Sequence, residues 1–290
     1  MQSRRDVLRM GGGVAGVGIV AGLAGCSELP VVGSYFDDGL DYAAWTYDPE
    51  AVGSNSISTT LLNVAAILDE EAVSNKSDLR DEVTGTYGED LSADDVEFVL
   101  SVGFAEILTG SFDGSDVVDG MGVSEEGSYG DFDLYADDEA ENAMVATDGT
   151  HLIRSSPYEY AEVEATEELE LLIDTYNEDA DRFVDVNDDF DLVRQEVDTT
   201  VYVSLNGQTE SSSEDAADDA VVTTGITAEI DGEEMLGTYL LLYKTADGID
   251  LDETESNLEN SLSESATLDD VSQDDRLVTV DFTMPTDEFQ

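Results

Sequence analysis

Apolar residues in this chain fall into short patterned runs, separated by acidic and glycine-containing stretches. Tyr42 to Tyr47 (YAAWTY) is aromatic-rich and reads as a strand that stops at Asp48-Pro49. Ile57, Leu61, Val64, Ala65 and Leu68 share one helical face and predict an amphipathic helix over residues 56–72. A polar loop over 74–90 follows. Ser92 is placed to cap a single turn at 91–95, leading into a strand from Val96 to Phe112 broken near Gly103. Residues 129–135 and 142–155 read as further strands. Within the latter, Asp148-Gly149 lies between MVAT and THLIR, the preferred chemistry of a two-residue hairpin turn. Leu169, Leu172, Ile173 and Tyr176 then occupy one helical face.

A similar order follows. Phe190, Val193 and Val197 mark a short helix, and TVYVSL (200–205) alternates as a strand. Residues 221–230 and 233–244 flank a second hairpin turn, Asp231-Gly232. Leu251, Leu258 and Leu262 mark a weaker acidic helix, and Val278, Val280, Phe282 and Met284 put one apolar face on a final strand. The expected class is α+β, with antiparallel sheets backed by helices and two similar halves resembling a repeat. Residues 41–180 and 181–290 form the expected first and second domains, divided in the acidic stretch near 179–187. The main alternative is a single continuous sheet. TESSSEDAADDA (209–220) reads as a low-complexity acidic loop inside the second half.

The N-terminus carries a different signal. Arg4 and Arg5 followed by Val7-Leu8, then a glycine-rich apolar run from Met10 to Gly25, read as a twin-arginine export signal. Leu23-Ala24-Gly25-Cys26 puts small residues before a cysteine, as lipoprotein processing requires. Residues 1–25 are therefore the expected signal peptide, Cys26 the lipidation site, and 26–40 a tether. The run is shorter than the ~20 apolar residues of a membrane span. Cys26 is the sole cysteine, which excludes a disulfide or a thiol nucleophile in the body.

Charge alters the picture further. The chain has 70 acidic and 10 basic residues. Without residues 1–25, which hold Arg4, Arg5, Arg9 and Asp6, it keeps 69 acidic and 7 basic. Such self-repulsion opposes the compact state at low salt, whereas at about 1 M salt the Debye length is only ~3 Å. Nucleic acid is excluded as a partner, since phosphate neutralisation needs clustered Lys and Arg. The chain is 41% apolar, enough for a real core.

The stretch LSADDVEFVLSVGFAEILTGSFDGSDVVDGM and the later YGDFDLYADDEAENAMVATDGTHLIRSS, together with the signal, resemble a family of uncharacterised haloarchaeal lipoproteins exported by the twin-arginine route. The resemblance spans residues 40–180 and is loose beyond. It implies an extracytoplasmic location on the outer face of the cell membrane; the family has no known activity, and no functional residue carries over.

Candidate chemistry is sparse. His151, the only histidine, alternates with Ile153 on a strand and lacks a nucleophile elbow to serve, so it reads as an ordinary strand residue. Carboxylate pairs suited to glycoside hydrolysis are too plentiful to single any out. Trp45, the only tryptophan, reads as a buried anchor before a sugar platform. Asp185, Asn187, Asp189 and Glu196 match positions one, three, five and twelve of an EF-hand loop. Phe190 stands at position six, where the turn wants glycine, so a helix capped by Asn187 is the better reading. Asn75-Lys76-Ser77 is an N-glycosylation sequon. No catalytic or cofactor site is expected.

The expectation is a non-enzymatic surface protein, held at the membrane by lipid on Cys26 and binding a protein or envelope component. A small-ligand- or ion-binding lipoprotein is the alternative, with a carboxylate-based hydrolase behind it. One outcome follows from charge alone: raising KCl from about 0.1 M to about 2 M raises the melting temperature of the protein, measured by circular dichroism.

Overall fold

The computed structural model describes residues 40–290 except 138–139, 141, 158–160, 162, 198–200, 218–219, 264 and 289–290. The chain begins there with a one-turn helix, α1 (Tyr42–Trp45), whose first amides are met by the Asp41 carboxylate (Ala43 N to Oδ1, 3.1 Å). Strand β1 (Ser56–Asn63) follows, then α2 (Val64–Asp69) and α3 (Lys76–Tyr87). The hairpin β2 (Val96–Val102) and β3 (Ala105–Gly110) leads through α4 (Gly114–Gly120) to β4 (Val123–Tyr129). Strands β5 (Phe132–Asp137), β6 (Met144–Thr147) and β7 (His151–Ser155) complete this half.

Three helices, α5 (Ala165–Tyr176), α6 (Phe183–Val186) and α7 (Asp188–Gln195), carry the chain to β8 (Tyr202–Gln208). A short helix, α8 (Glu210–Asp215), precedes the hairpin β9 (Val221–Asp231) and β10 (Glu234–Tyr243). Helix α9 (Leu251–Ser261) and the hairpin β11 (Thr267–Asp274) and β12 (Leu277–Pro285) finish the fold.

All twelve strands join one antiparallel sheet, in the order β11-β12-β10-β9-β8-β1-β2-β3-β7-β6-β5-β4. The fold is thus α+β with a single continuous sheet. Strands from residues 41–180 lie on one side of the β1–β8 pair and those from 181–290 on the other. Each side has a hairpin, a helical crossover to the sheet edge and a return. Four strands return on one side and two on the other. Residues 179–187, the expected boundary, are tied in by an isolated bridge from Tyr47 to Arg182 and by Phe183 N to Thr46 O (2.8 Å).

Helices cover both faces. One core gathers Trp45, Leu61, Leu100, Leu172, Phe183, Phe190 and Leu205 under α1, α5, α6 and α7. The other gathers Leu62, Val83, Leu108, Val117, Leu152, Val280 and Phe282 among α2, α3, α4 and α9. Each fully buried Leu or Phe side chain contributes ~1.5–3 kcal/mol of transfer free energy.

Several sequence expectations are corrected. Residues 42–47 form α1 and not a strand; Asp41 supplies the cap and Ala43 and Ala44 favour the turn. The helix expected over 56–72 divides into β1 and α2: Ile57, Thr59 and Thr60 are β-branched, and Asn63 caps α2 by accepting from Ala66 N at 2.9 Å. The expected loop at 74–90 contains α3, whose Leu79, Val83 and Tyr87 recur every four residues against the sheet. Residues 129–135 span the β4–β5 turn. The acidic loop at 209–220 opens with α8, capped by Thr209 (Ser212 N to Oγ1, 3.3 Å). Strand β11 falls where periodicity singled out nothing.

Both hairpins form, with their turns shifted from the expected two-residue Asp-Gly steps: residues 148–150 connect β6 to β7, and Asp231 ends β9, so that Gly232 and Glu233 make the turn to β10.

Close packing of α6 and α7 on β8 depends on Gly207. A Cβ there would lie 2.6 Å from Phe190 Cδ2 and 2.9 Å from Phe183 Cε1, and those two rings already pack 4.8 Å apart. Gly207→Ala therefore destabilises the protein by about 1–3 kcal/mol, read as a lowered denaturation midpoint at constant salt.

Candidate functional site

Buried polar chemistry in this fold is concentrated where α5 crosses the β2–β3 turn. Glu168 is fully buried on α5, on the same helix as Leu169, Leu172 and Ile173. Its Oε1 accepts from the Tyr47 hydroxyl and from Phe104 N, both at 2.8 Å, and Oε2 accepts from Ser155 Oγ at 2.6 Å. Three segments far apart in sequence therefore meet on one carboxylate. Burial raises the Glu168 carboxyl above its ordinary range, with the three donors acting against the shift. The Tyr47 phenol is pushed up as well, chiefly by burial and then by the neighbouring carboxylate.

Gly103 makes the approach feasible. Its φ of +59° suits the hairpin turn, and a Cβ there would lie 2.2 Å from the Tyr47 hydroxyl and 2.6 Å from Glu168 Oε1.

At the other end of α5 stands an aromatic stack. Trp45 is fully buried and parallel to Tyr176, with ring centroids 4.1 Å apart. His151 meets both edge-on at 5.3 and 5.2 Å. The imidazole is held by Asp148 (Nδ1 to Oδ2, 2.9 Å), whose other oxygen accepts from Thr150 N and His151 N at 2.8 and 2.7 Å. Burial acts to raise the Asp148 carboxyl, but the His151 and Thr150 contacts outweigh it and hold the group below its ordinary value. Chemically this is a turn carboxylate that satisfies two backbone amides and orients a ring.

The seven basic residues beyond residue 25 are each engaged within the chain. Arg276 reaches Asp189 on α7 (2.6 Å) and the Tyr243 carbonyl (3.3 Å), clamping the β11–β12 turn to the opposite layer. Arg154 pairs with Asp137 (3.2 Å), Arg80 with Asp94 (2.8 Å) and Arg182 with Glu178 (3.4 Å). Arg194 hydrogen-bonds Tyr42, Lys76 donates to Leu68 O (2.8 Å) and Lys244 to Ala216 O (2.7 Å).

The residues singled out from sequence are placed as follows. Arg4, Arg5, Cys26 and nearly all of the tether lie outside the described residues. Asp185 ends up on α6 and Asp189 on α7, while Glu196 follows the last residue of α7. Asn187 caps α7, accepting from Phe190 N at 2.8 Å and donating to Gln208 O at 2.9 Å. The Asp189 carboxylate belongs to Arg276. The segment is therefore helix, cap and ion pair, and among the described residues no group of three or more His, Cys, Asp or Glu is arranged to hold a metal. Trp45 is the buried anchor the sequence suggested. Glu168 went unnoticed because it is one acid among 70; its position on the apolar face of α5, one residue before Leu169, was the available signal.

Glu168→Ala strands the Tyr47, Ser155 and Phe104 donors and costs about 3 kcal/mol or more in denaturant titrations. Glu168→Gln keeps an acceptor for Tyr47 and Phe104 and costs less. The sign of the pH effect follows from the raised native value: between the unfolded value near 4.5 and the native one, the folded state holds a proton that the unfolded state has released. Glu168 therefore favours the fold most below that window, and its contribution falls as pH rises through it. Measured against pH, the stability of the wild type minus that of Glu168→Gln declines across the window.

No protein-family model matches this chain, and no curated protein matches it. Among solved structures it is similar to crystal form I of TP0453, at 14% identity and a TM-score of 0.47, covering 83% of this chain and 94% of that one. Crystal form III of the same protein gives 12% identity and 0.47 over 84% and 94%. Crystal form IV gives 11% and 0.43 over 85% and 96%. The likeness is too slight to bear on function.

Proposed function

We propose that this chain is a lipid-anchored extracytoplasmic protein of a halophile, which acts by binding a protein or envelope component and not by catalysis. The observation that carries the reading is the twin-arginine pair Arg4-Arg5 followed by the Leu23–Cys26 box, immediately before a tether and a well-packed body. The fate of the reactive side chains supports it. Glu168 is enclosed by three donors that organise backbone, and His151 is fastened to a turn carboxylate. Both serve the fold.

The surface supports it too. With each of its few basic residues engaged by a group of its own fold, the body carries a large excess of carboxylates, the composition that suits molar salt. The partner is accordingly a protein or envelope component and not a nucleic acid. No helix among the described residues is long and apolar enough to cross a membrane, and the acyl chain on Cys26 is the anchor in this reading.

Fractionation of the wild type and of Cys26→Ser at native salt tests the proposal. Wild type on membranes, the variant in the medium, and one macromolecule co-purifying with both is the expected result. Retention of the variant on membranes overturns the lipid anchor. Release without any co-purifying macromolecule overturns the partner and moves the reading to the small-ligand alternative.

A further inference from the structure

Within residues 74–90 the chain forms helix α3, and the manner in which that helix is held bears on the Asn75-Lys76-Ser77 sequon. Helix α3 is anchored through its C-terminal half: Val83 and Tyr87 are buried, and the Tyr87 hydroxyl donates to Glu106 at 2.9 Å. Its first turn lies at the surface. Ser77 and Asp78 are exposed, and Asn75 and Lys76 are half-buried. Asn75 is the N-cap, ending the non-helical segment 70–75 that joins α2 to α3.

First-turn amides make no intrahelical bond to a residue four back. The backbone bond that closes this turn is Asp78 N to Asn75 O, at 2.9 Å. Extending the sequon breaks that bond, the one from Lys76 Nζ to Leu68 O (2.8 Å) and the other contacts of this first turn, while Val83 and Tyr87 keep the rest of α3 on the sheet. Such local opening is what an enzyme needs in order to take an asparagine amide and the hydroxyl two residues later into one site on an already folded chain.

From this geometry we infer that Asn75 is an N-glycosylation acceptor, with a lipid-phosphate-linked sugar as donor. Asn75 Nδ2 bonds to the anomeric carbon as the carbon–oxygen bond to phosphate breaks; the amide proton leaves with the phosphate, and nothing is oxidised or reduced. The Ser77 hydroxyl is the second recognition element. The inference rests on the export reading, because it requires the body to meet a transferase outside the cytoplasm.

The test expresses the full chain in an archaeal halophile in which an exported sequon-bearing reporter carries an N-glycan. Intact mass and peptide mapping are read on molecules lacking residues 1–25, using a protease other than trypsin because Lys76 lies inside the sequon. The expected result is sugar mass on the Asn75 peptide in the wild type and in Ser77→Thr, and its loss in Asn75→Gln and Ser77→Ala. Ser77→Ala leaves Asn75 in place, so its loss of sugar separates recognition from misfolding. Processed wild type with bare Asn75, beside a glycosylated reporter, overturns the acceptor site alone. A chain retained in the cytoplasm with residues 1–25 intact overturns the export reading and this inference with it.

Discussion

Seven cross-strand pairs between β1 and β8, from Ser56–Gln208 to Leu62–Tyr202, join the two halves of the sheet, and every other element is arranged around that seam. Strand β1 hydrogen-bonds on its other edge to β2, so its backbone donors and acceptors are committed on both sides. The side chains follow. Leu61 faces the core that contains Phe183 and Phe190 from the second half, and Leu62 faces the core that contains Phe282. Neither half buries its apolar faces without the other. A one-residue slip of β1 would exchange Leu61 and Leu62 between the two cores, which is why the register is strongly specified.

Polar groups inside this frame act as fasteners. Glu168 ties α5 to the β2–β3 turn, to β7 and to the segment after α1. Asn187 ties α7 to the end of β8, and Arg276 ties the β11–β12 turn back to α7. A buried carboxylate is tolerable because its oxygens are met by donors. The scarce cations work in the same sense: in a chain with so few, each is held by a carboxylate, a hydroxyl or a carbonyl of its own fold. Excess negative charge is left to the surface, where salt screens it.

Both edges of the sheet carry acids. Asp269 and Asp270 lie on β11, and Glu125 and Glu126 on β4, in each strand beside an irregularity in pairing, and Asp274 ends β11. Charges and bulges of this kind discourage edge-to-edge association of a large open sheet. The same composition that suits molar salt thus also guards the sheet against its own copies.

The sequence by itself determined the elements whose cause is local. The two hairpins at the Asp-Gly steps, the Ser92 and Asn187 caps and the apolar faces of α5 and β12 depend on residues within a few positions of one another. The α+β class was legible for the same reason. Tertiary structure decided the rest. Ile57 to Leu68 fits a helical period, yet hydrogen bonds to β2 and β8 make its first part a strand. Leu79, Val83 and Tyr87 become a helix face because the sheet offers them a surface to cover. Glu168 was invisible among 70 acids, since what distinguishes it is three donors brought from residues 47, 104 and 155. Local pattern specifies turns and caps; which carboxylate is buried, and which run becomes strand or helix, is set by partners distant in the chain.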